Sequence, residues 1–365
     1  MYDQIREDHI YIILYAMVTA LAMMASCYLL LRRGNAIAPN VTSSVRLRRW
    51  TGVFFASVAL NHVWYMPIFF LSSNEDIVMT DLIGGLLDFL TVFPLAIIVL
   101  FVMLQDRRRP LWPVAVMMAP LVAAGAWSVA ARSYAFQSIV YAYFLLMCIG
   151  LVVYFVRALR QYGRWLRDNY ADLEHKEVWQ SFVVLAIMLL MFGIYALIYR
   201  GAAYQYAMLV GFAVMIGYLL WRVETLSNLS MPITGVEEEV QAPPIGASLT
   251  FRNDIEPLLK KHCEEPQLYL QHDLNLLQLA NEIGINRSYL SKHFASQNIS
   301  YNTYINGLRI QHFVNLYRES AETHQPVTAQ QLAYQSGFRS YNTFSVAFKK
   351  MMGMTATEWM RLTES

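Results

Sequence analysis

Long apolar runs occupy the first part of the chain, whereas the remainder mixes short apolar and polar stretches, as soluble helical domains do. Each run is close to the roughly 20 residues that a helix needs to cross a lipid bilayer. The pattern therefore predicts a seven-helix transmembrane bundle over residues 1–222. Its spans are approximately 10–31, 50–71, 82–104, 111–131, 137–156, 181–199 and 204–221.

The loops between these runs alternate in charge. Arginine and lysine concentrate in the loops 32–49, 105–110 and 157–180, whereas the opposite side of the predicted bundle carries few cations and has an acidic loop at 72–81. Because positively charged loops stay in the cytoplasm, the N-terminus is predicted to lie outside. After seven crossings the C-terminus is predicted to lie in the cytoplasm.

Two ionisable residues stand out inside the predicted spans. His62 lies in the second span and Asp88 in the third, at depths that would let two antiparallel helices bring them together. Ionisable groups within a membrane are costly and often functional. One interpretation is a structural hydrogen bond between the helices, and the other is a sensor pair beneath an outward-facing pocket.

Residues 223–249 differ from both of their neighbours. They contain three prolines and the acidic run Glu237, Glu238 and Glu239, without a heptad pattern. The segment is predicted to be a flexible cytoplasmic linker. It would join the membrane part to a soluble domain over residues 250–365.

The composition, with 56% hydrophobic and 15% charged residues, fits such a division into two solvents. Cys27, Cys148 and Cys263 lack the spacing of a disulfide framework or a metal site. The histidines show no metal-ligand spacing either, and no nucleophile, phosphate-loop or carboxylate-pair motif is present. The sequence therefore predicts no metal, no cofactor and no enzymatic activity.

The soluble part contains an internal repeat. Residues 279–284 and 332–337 share the pattern Leu-Ala-x-x-x-Gly, and each is followed by a helix with two apolar residues four positions apart. These pairs are Leu290 with Phe294, and Phe344 with Phe348. Since small and glycine residues allow two helices to cross closely, the pattern predicts two helix-turn-helix units. Residues 301–318 are predicted to form one amphipathic helix between them.

The second helix of each unit would then expose its opposite face to DNA. Arginine and lysine can bind guanine in the major groove, asparagine can bind adenine, and the remaining cations can bind phosphates. Cations also outnumber carboxylates over residues 284–361, a count that includes Arg309. The predicted DNA-binding residues are Arg287, Ser288, Ser291, Lys292, Arg339, Ser340, Tyr341, Asn342, Ser345, Lys349 and Lys350.

The stretch from Gly337 to Thr355 resembles the signature of AraC/XylS-type bacterial transcription regulators, and residues 289–294 and 304–310 fit the same family in the same order. The resemblance covers about residues 265–361. It implies two helix-turn-helix subdomains bridged by a long helix, with the residues named above on the DNA-facing helices. Three positions depart from the common family pattern, namely Phe313, Val346 and Ala356.

The expected fold is all-α: a seven-helix transmembrane bundle followed by a soluble double helix-turn-helix domain of AraC type. The expected function is that of a transcription regulator in the bacterial cytoplasmic (inner) membrane, which senses a periplasmic or membrane cue. Its partners would be double-stranded DNA, the lipid bilayer, an unknown small-molecule or physical cue, RNA polymerase and a second copy of the chain.

Two alternatives remain open at this stage. The helix-turn-helix domain would act as a protein-interaction module, which Val346 and the modest net positive charge favour, or as a regulatory appendage of a transporter. Substitution of Arg287 and Lys292 separates the first alternative from DNA binding. The transporter alternative would need polar spans, and only His62 and Asp88 supply such groups.

Overall fold

The computed structural model describes residues 8–184 except 33 and 40, residues 186, 187, 202–229, 255–323 and 326–364. Within these ranges the chain is α-helical and forms no β-strand. It divides into two compact units, which are described separately. The first comprises Met1–Tyr162 with His175–Met231, and the second comprises Gly163–Glu174 with Pro232–Ser365.

Among the described residues, six helices are long and apolar enough to cross a membrane, and they lie in the first unit apart from the last two turns of one of them. Two of these helices include a non-α turn: the helix that begins at Val45 passes into the 3₁₀ turn Met66–Phe69, and the helix that begins at Asn74 passes through the π turn Asp88–Val92. The helices are α1 (His9–Leu31), α2 (Val45–Tyr65), α3 (Asn74–Leu87) with α4 (Phe93–Met103), α5 (Trp112–Ala131), α6 (Gln137–Asn169) and α7 (Ala202–Thr225).

Six of the seven predicted spans correspond to these helices. For the remaining span, 181–199, the structure shows helix at residues 179–184, 186 and 187, and the rest lies outside the described residues. The predicted linker 223–249 also lies mostly outside them, although α7 continues through residue 225. The count of seven crossings therefore stays a prediction.

Helix α6 is much longer than the predicted span 137–156. It has 33 residues and continues to Asn169, so that the arginines of the predicted loop lie on a helix. A helix of this length is about 50 Å long, whereas the hydrocarbon core of a bilayer is about 30 Å thick. No proline interrupts residues 157–169, and arginine is a good helix former, so polarity ends the apolar run without ending the helix.

The second unit is built from short helices around one long helix. Each of its two helix-turn-helix units starts with a capping box, at Asn275 in the first and at Thr328 in the second. The helices are α8 (Ile255–Leu259), α9 (Leu276–Ile283), α10 (Arg287–Ser296), α11 (Tyr301–Glu322), α12 (Ala329–Gln335), α13 (Tyr341–Met352) and α14 (Ala356–Glu364). Helix α11 confirms the predicted helix 301–318 and extends it by one turn.

Two apolar clusters hold this unit together. The first surrounds Leu290 and Phe294 of α10, and the second surrounds Phe344 and Phe348 of α13. All four side chains are buried, which confirms the sealing role predicted for the two apolar pairs. Phe313 of α11 belongs to the second cluster, with its ring centroid 4.6 Å from that of Phe344. Phe313, one of the three departures from the common family pattern, therefore fills the core of the second cluster.

Both helix-turn-helix motifs require glycine at their turn, for different reasons. Gly284 has φ +76° and Gly337 has φ +88°, a region that residues with a Cβ atom avoid. A Cβ atom added at Gly284 would meet no other atom within 4 Å. At Gly337 it would lie 2.7 Å from the Cα atom of Leu270, so the backbones approach too closely for any side chain.

Replacement of Gly337 by alanine is therefore expected to destabilise the second helix-turn-helix more than Gly284→Ala destabilises the first. Gly284→Ala should cost about 1–2 kcal/mol from backbone strain. Gly337→Ala should cost about 1–3 kcal/mol more, because it adds a steric overlap. Hydrogen exchange of the amides of α9 and α10 and of α12 and α13, in the full-length protein, measures both losses. Equal losses would contradict the close approach.

Candidate nucleic-acid interface

The second helix of each helix-turn-helix is started by a side-chain cap. Asn286 accepts a hydrogen bond from the backbone N–H of Ser288 at 2.8 Å, and Ser340 accepts one from the backbone N–H of Thr343 at 3.3 Å. Such caps satisfy the free N–H groups of the first turn. Ser340, which the sequence analysis placed among DNA-binding residues, thus has a structural role as a helix cap.

The predicted DNA-binding residues of α10 differ in exposure. Ser288 and Lys292 are exposed, and Ser291 is partly buried. Arg287 is also partly buried, since its Nε and Nη2 atoms donate hydrogen bonds to Oδ1 of Asn169 at 3.1 and 2.6 Å. Burial lowers the pKa of the Arg287 guanidinium.

The predicted residues of α13 form a more open surface. Tyr341, Asn342, Lys349 and Lys350 are exposed, and Ser345 is partly buried. Val346, between them on the helix, is 64% exposed. This side of the helix therefore combines amide, hydroxyl, ammonium and apolar groups, all of which occur in contacts with base edges or phosphates.

Arg339 lies just before α13 and forms an ion pair with Asp273, with 3.0 Å between Nη1 and Oδ1. Both side chains remain exposed to solvent. The pair joins the segment that precedes the first helix-turn-helix to the second one. An exposed ion pair of this kind contributes little to stability, so Arg339 remains available to a phosphate.

Arg309 was counted above among the cations that outnumber carboxylates over residues 284–361. It is fully buried, so it does not belong to the positive surface. Its Nε and Nη2 atoms donate hydrogen bonds to the backbone carbonyl oxygens of Tyr269 and Gln271, both at 2.7 Å. Its guanidinium carbon also lies 5.6 Å from the ring centroid of Phe338. Burial lowers the pKa of Arg309 to about 10, so the group stays charged at neutral pH.

The comparisons with known proteins agree with this geometry. Residues 279–362 match a family of helix-turn-helix domains. The chain is also 30% identical over 82 residues to the TCP pilus virulence regulatory protein of Vibrio cholerae serotype O1, both in a classical Ogawa strain and in an El Tor Inaba strain. Residues 279–362 are an AraC-type helix-turn-helix domain.

The similarity to these relatives is confined to part of each protein. The alignment covers 22% of this chain and 28% of the relative, so the chain spans less than a third of the length of the curated relatives it matches. No solved structure matches the chain.

A groove with polar and apolar groups in its wall borders α13; α10 and α13 are here called the two recognition helices. It has a volume of about 570 Å³ and lies between α12 and α13. Its walls supply amide, hydroxyl and guanidinium groups, which suit the sugar-phosphate backbone of DNA. The lining includes Thr328, Gln331, Gln335, Arg339 and Tyr341.

One segment that contacts the AraC-type domain could not be predicted from the sequence. Residues 163–174, assigned above to a loop of the membrane part, belong to the second unit. Tyr170 forms an antiparallel backbone bridge with Asn275, and the Asn302 side chain donates to the carbonyl oxygen of Ala171 at 2.6 Å. The polarity of this segment resembles that of any cytoplasmic loop, so the sequence held no signal for these contacts.

The predicted sensor residues His62 and Asp88 have different partners in the first unit. Asp88 accepts hydrogen bonds from the side chains of Asn61 at 2.8 Å and Tyr65 at 3.1 Å. The His62 ring is bonded through Nδ1 to the carbonyl oxygen of Val58 and packs 4.9 Å from the ring centroid of Tyr15. Their role in sensing stays a prediction.

Proposed function

We propose that this chain is a membrane-bound, sequence-specific transcription regulator that couples a periplasmic or membrane cue to promoter binding. The observation that carries the proposal is the pair of second helices in the AraC-type domain. Each buries its apolar pair and leaves polar and cationic side chains in solvent: Ser288 and Lys292 on α10, and Tyr341, Asn342 and Lys349 on α13.

These side chains divide naturally between base recognition and phosphate binding. Asn342 can form a bidentate contact with adenine, and Val346 can pack against a thymine methyl group. Lys349 and Lys350 would bind phosphates without regard to sequence. The 22-residue helix α11 is about 33 Å long, which is close to the ~34 Å between successive major grooves on one face of DNA.

Substitutions on α13 should separate the two kinds of contact. Asn342→Ala should lower discrimination at one base pair by about 1–3 kcal/mol, because a bidentate contact is lost. Lys349→Ala should weaken binding to all sequences alike and reduce the slope of log affinity against log salt by about one. Equilibrium binding of the full-length protein in lipid nanodiscs to duplexes selected from genomic DNA measures both effects.

Lys261→Ala is the matched control, since Lys261 is an exposed lysine of the same unit outside the recognition helices. It should leave affinity and salt slope nearly unchanged. Binding that is insensitive to Asn342, to Lys349 and to base sequence would contradict the proposal. It would favour the alternative in which the domain binds a protein through the exposed Val346 and its neighbours.

The membrane part of the proposal is supported by helix length and loop charge. Six helices of the described chain are apolar and long enough to cross a bilayer. The exposed Arg49, the loop arginines Arg107 and Arg108, and Arg164 on α6 would all lie on the cytoplasmic side. An odd number of crossings, which requires the predicted span 181–199, would then place the AraC-type domain on the same side as the chromosome.

Fusions of the full chain to a phosphatase that is active only in the periplasm should reveal this topology. We expect activity when the enzyme is inserted in the loop 71–73 and none when it is inserted at residue 108 or attached after residue 365. A fluorescent protein that matures only in the cytoplasm should give the reverse pattern. Phosphatase activity at the C-terminus would rule out gene control by this chain.

The cue would act where Asn61 and Tyr65 of α2 donate hydrogen bonds to Asp88, at the end of α3. A cavity of about 490 Å³ is lined by Asn61, Trp64 and Thr91, among others. Since Asn61 also donates a hydrogen bond to Asp88, a ligand in the cavity would compete for the same amide. His62 faces Tyr15 of α1 and Phe212 of α7, where it would report a change in helix packing.

Asp88→Asn and His62→Ala are therefore expected to change the response of a promoter fusion to the conditions that induce it in the wild type. Glu75→Gln, at the exposed start of α3, is the control and should respond like the wild type. Protein abundance in the membrane is measured alongside expression. If both substitutions leave every induced response intact at normal abundance, His62 and Asp88 have a structural role only.

A further inference from the structure

Residues 163–174, here called the docking segment, form the last two turns of α6 and the turn that follows it. They belong to the same compact unit as the AraC-type domain, although about 80 residues of sequence separate them from α8. Asn169, Tyr170, Ala171 and Asp172 are all buried. The segment is therefore a packed element of the DNA-binding unit.

Backbone and side-chain contacts fix the middle of the docking segment to the first helix-turn-helix and to α11. The carbonyl oxygen of Ala171 accepts hydrogen bonds from the side-chain amides of Asn302 at 2.6 Å and Asn306 at 3.1 Å. The Ala171 side chain is fully buried in the first apolar cluster. Tyr170 adds the backbone bridge to Asn275, the cap residue of α9.

One end of the docking segment holds a predicted base-contacting side chain. Oδ1 of Asn169 accepts from both Nε and Nη2 of Arg287, while the Asn169 amide donates to the carbonyl oxygen of Trp165 at 2.7 Å. The Trp165 bond orients the amide so that its oxygen faces Arg287. A bidentate contact with guanine needs two parallel donors of the same guanidinium, so Arg287 cannot keep this contact and bind a base through the same edge.

The other end places two carboxylates at the start of the second recognition helix. The hydroxyl of Thr343 lies 3.4 Å from Oδ1 of Asp172 and 3.3 Å from Oε2 of Glu174, and it can donate to one of them at a time. Thr343 is in the first turn of α13, beside Asn342. The N-terminus of a helix attracts anions, so these carboxylates lie where a DNA phosphate would be favoured.

We propose that the docking segment is an intramolecular competitor of DNA, which binds Arg287 and the first turn of α13 and must leave them before DNA can occupy both recognition helices. The proposal rests on the proposed function, because it requires that α10 and α13 bind DNA. Since the segment continues directly from α6, a change in the membrane part can reach the DNA-binding surface without passing through the linker 223–249.

The test uses the full-length protein in lipid nanodiscs and the genomic fragment that it enriches most strongly from sheared DNA. Asn169→Ala and Asn302→Ala should each raise affinity for this fragment, by about tenfold, which lies within the usual range of coupling between sites. Asp168→Ala and Gln311→Ala are matched controls, because both residues are exposed neighbours of the substituted positions and Gln311 bonds to Asn315 within α11. The controls should bind like the wild type.

A double-mutant cycle separates competition from a merely structural role. In an Arg287→Ala background, Asn169→Ala should give no further gain, since the side chain that it releases is absent. A structural effect of Asn169 would persist in both backgrounds. An equal effect of Asn169→Ala with and without Arg287 would therefore overturn the proposal. Unchanged or weaker binding by both released variants, Asn169→Ala and Asn302→Ala, would also overturn it.

Hydrogen exchange supplies a readout that does not depend on affinity. The amides of residues 169–174 should be protected in the free protein and should exchange faster when the genomic fragment is bound. Persistent protection in the DNA complex would overturn the proposal but leave the proposed function intact. If neither the wild type nor the released variants bind DNA selectively, the proposed function itself fails and the competition fails with it.

Discussion

The AraC-type domain depends on a buried positive charge. Arg309 of α11 is fully buried, and removing an ion from water is costly unless its hydrogen bonds and charge are compensated. Arg309 donates hydrogen bonds to the carbonyl oxygens of Tyr269 and Gln271, which precede the first helix-turn-helix, and makes a cation–π contact with Phe338 in the turn of the second. The Arg309 side chain thus connects α11 both to the segment before the first helix-turn-helix and to the turn of the second.

The same charge connects the docking segment to the rest of the unit. Asp172 is one of the groups whose attraction raises the pKa of Arg309 against the opposing effect of burial, and its Oδ1 atom also lies near the Thr343 hydroxyl. Departure of the docking segment would remove a carboxylate from the surroundings of a buried guanidinium as well as freeing α13. The docking segment therefore contributes one carboxylate both to the surroundings of Arg309 and to the first turn of α13.

Sequence patterns predicted the features that short-range physics determines. Leu-Ala-x-x-x-Gly and the pairs Leu290/Phe294 and Phe344/Phe348 encode helix crossing and burial within about fifteen residues, and the structure confirms them. The burial of Arg309 could not be predicted, because one arginine on an amphipathic helix gives no sign of the carbonyl groups that it will meet. The contacts of Asn169 with Arg287 join residues more than a hundred positions apart, and no periodicity in either segment encodes such a pairing.

In the proposed competition, covalent attachment would allow the few contacts of the docking segment to compete with DNA. A tethered segment acts at an effective concentration that can reach about millimolar, so a handful of hydrogen bonds can compete with DNA without high intrinsic affinity. Each such bond contributes only about 0.5–1.5 kcal/mol, or somewhat more when it involves a charged group such as Arg287. The balance between docked and DNA-bound forms can then be shifted by the 1–3 kcal/mol that a cue in the membrane part would supply. Weak contacts of the docking segment would let a cue shift this balance, whereas tight contacts would hold the chain in the docked form.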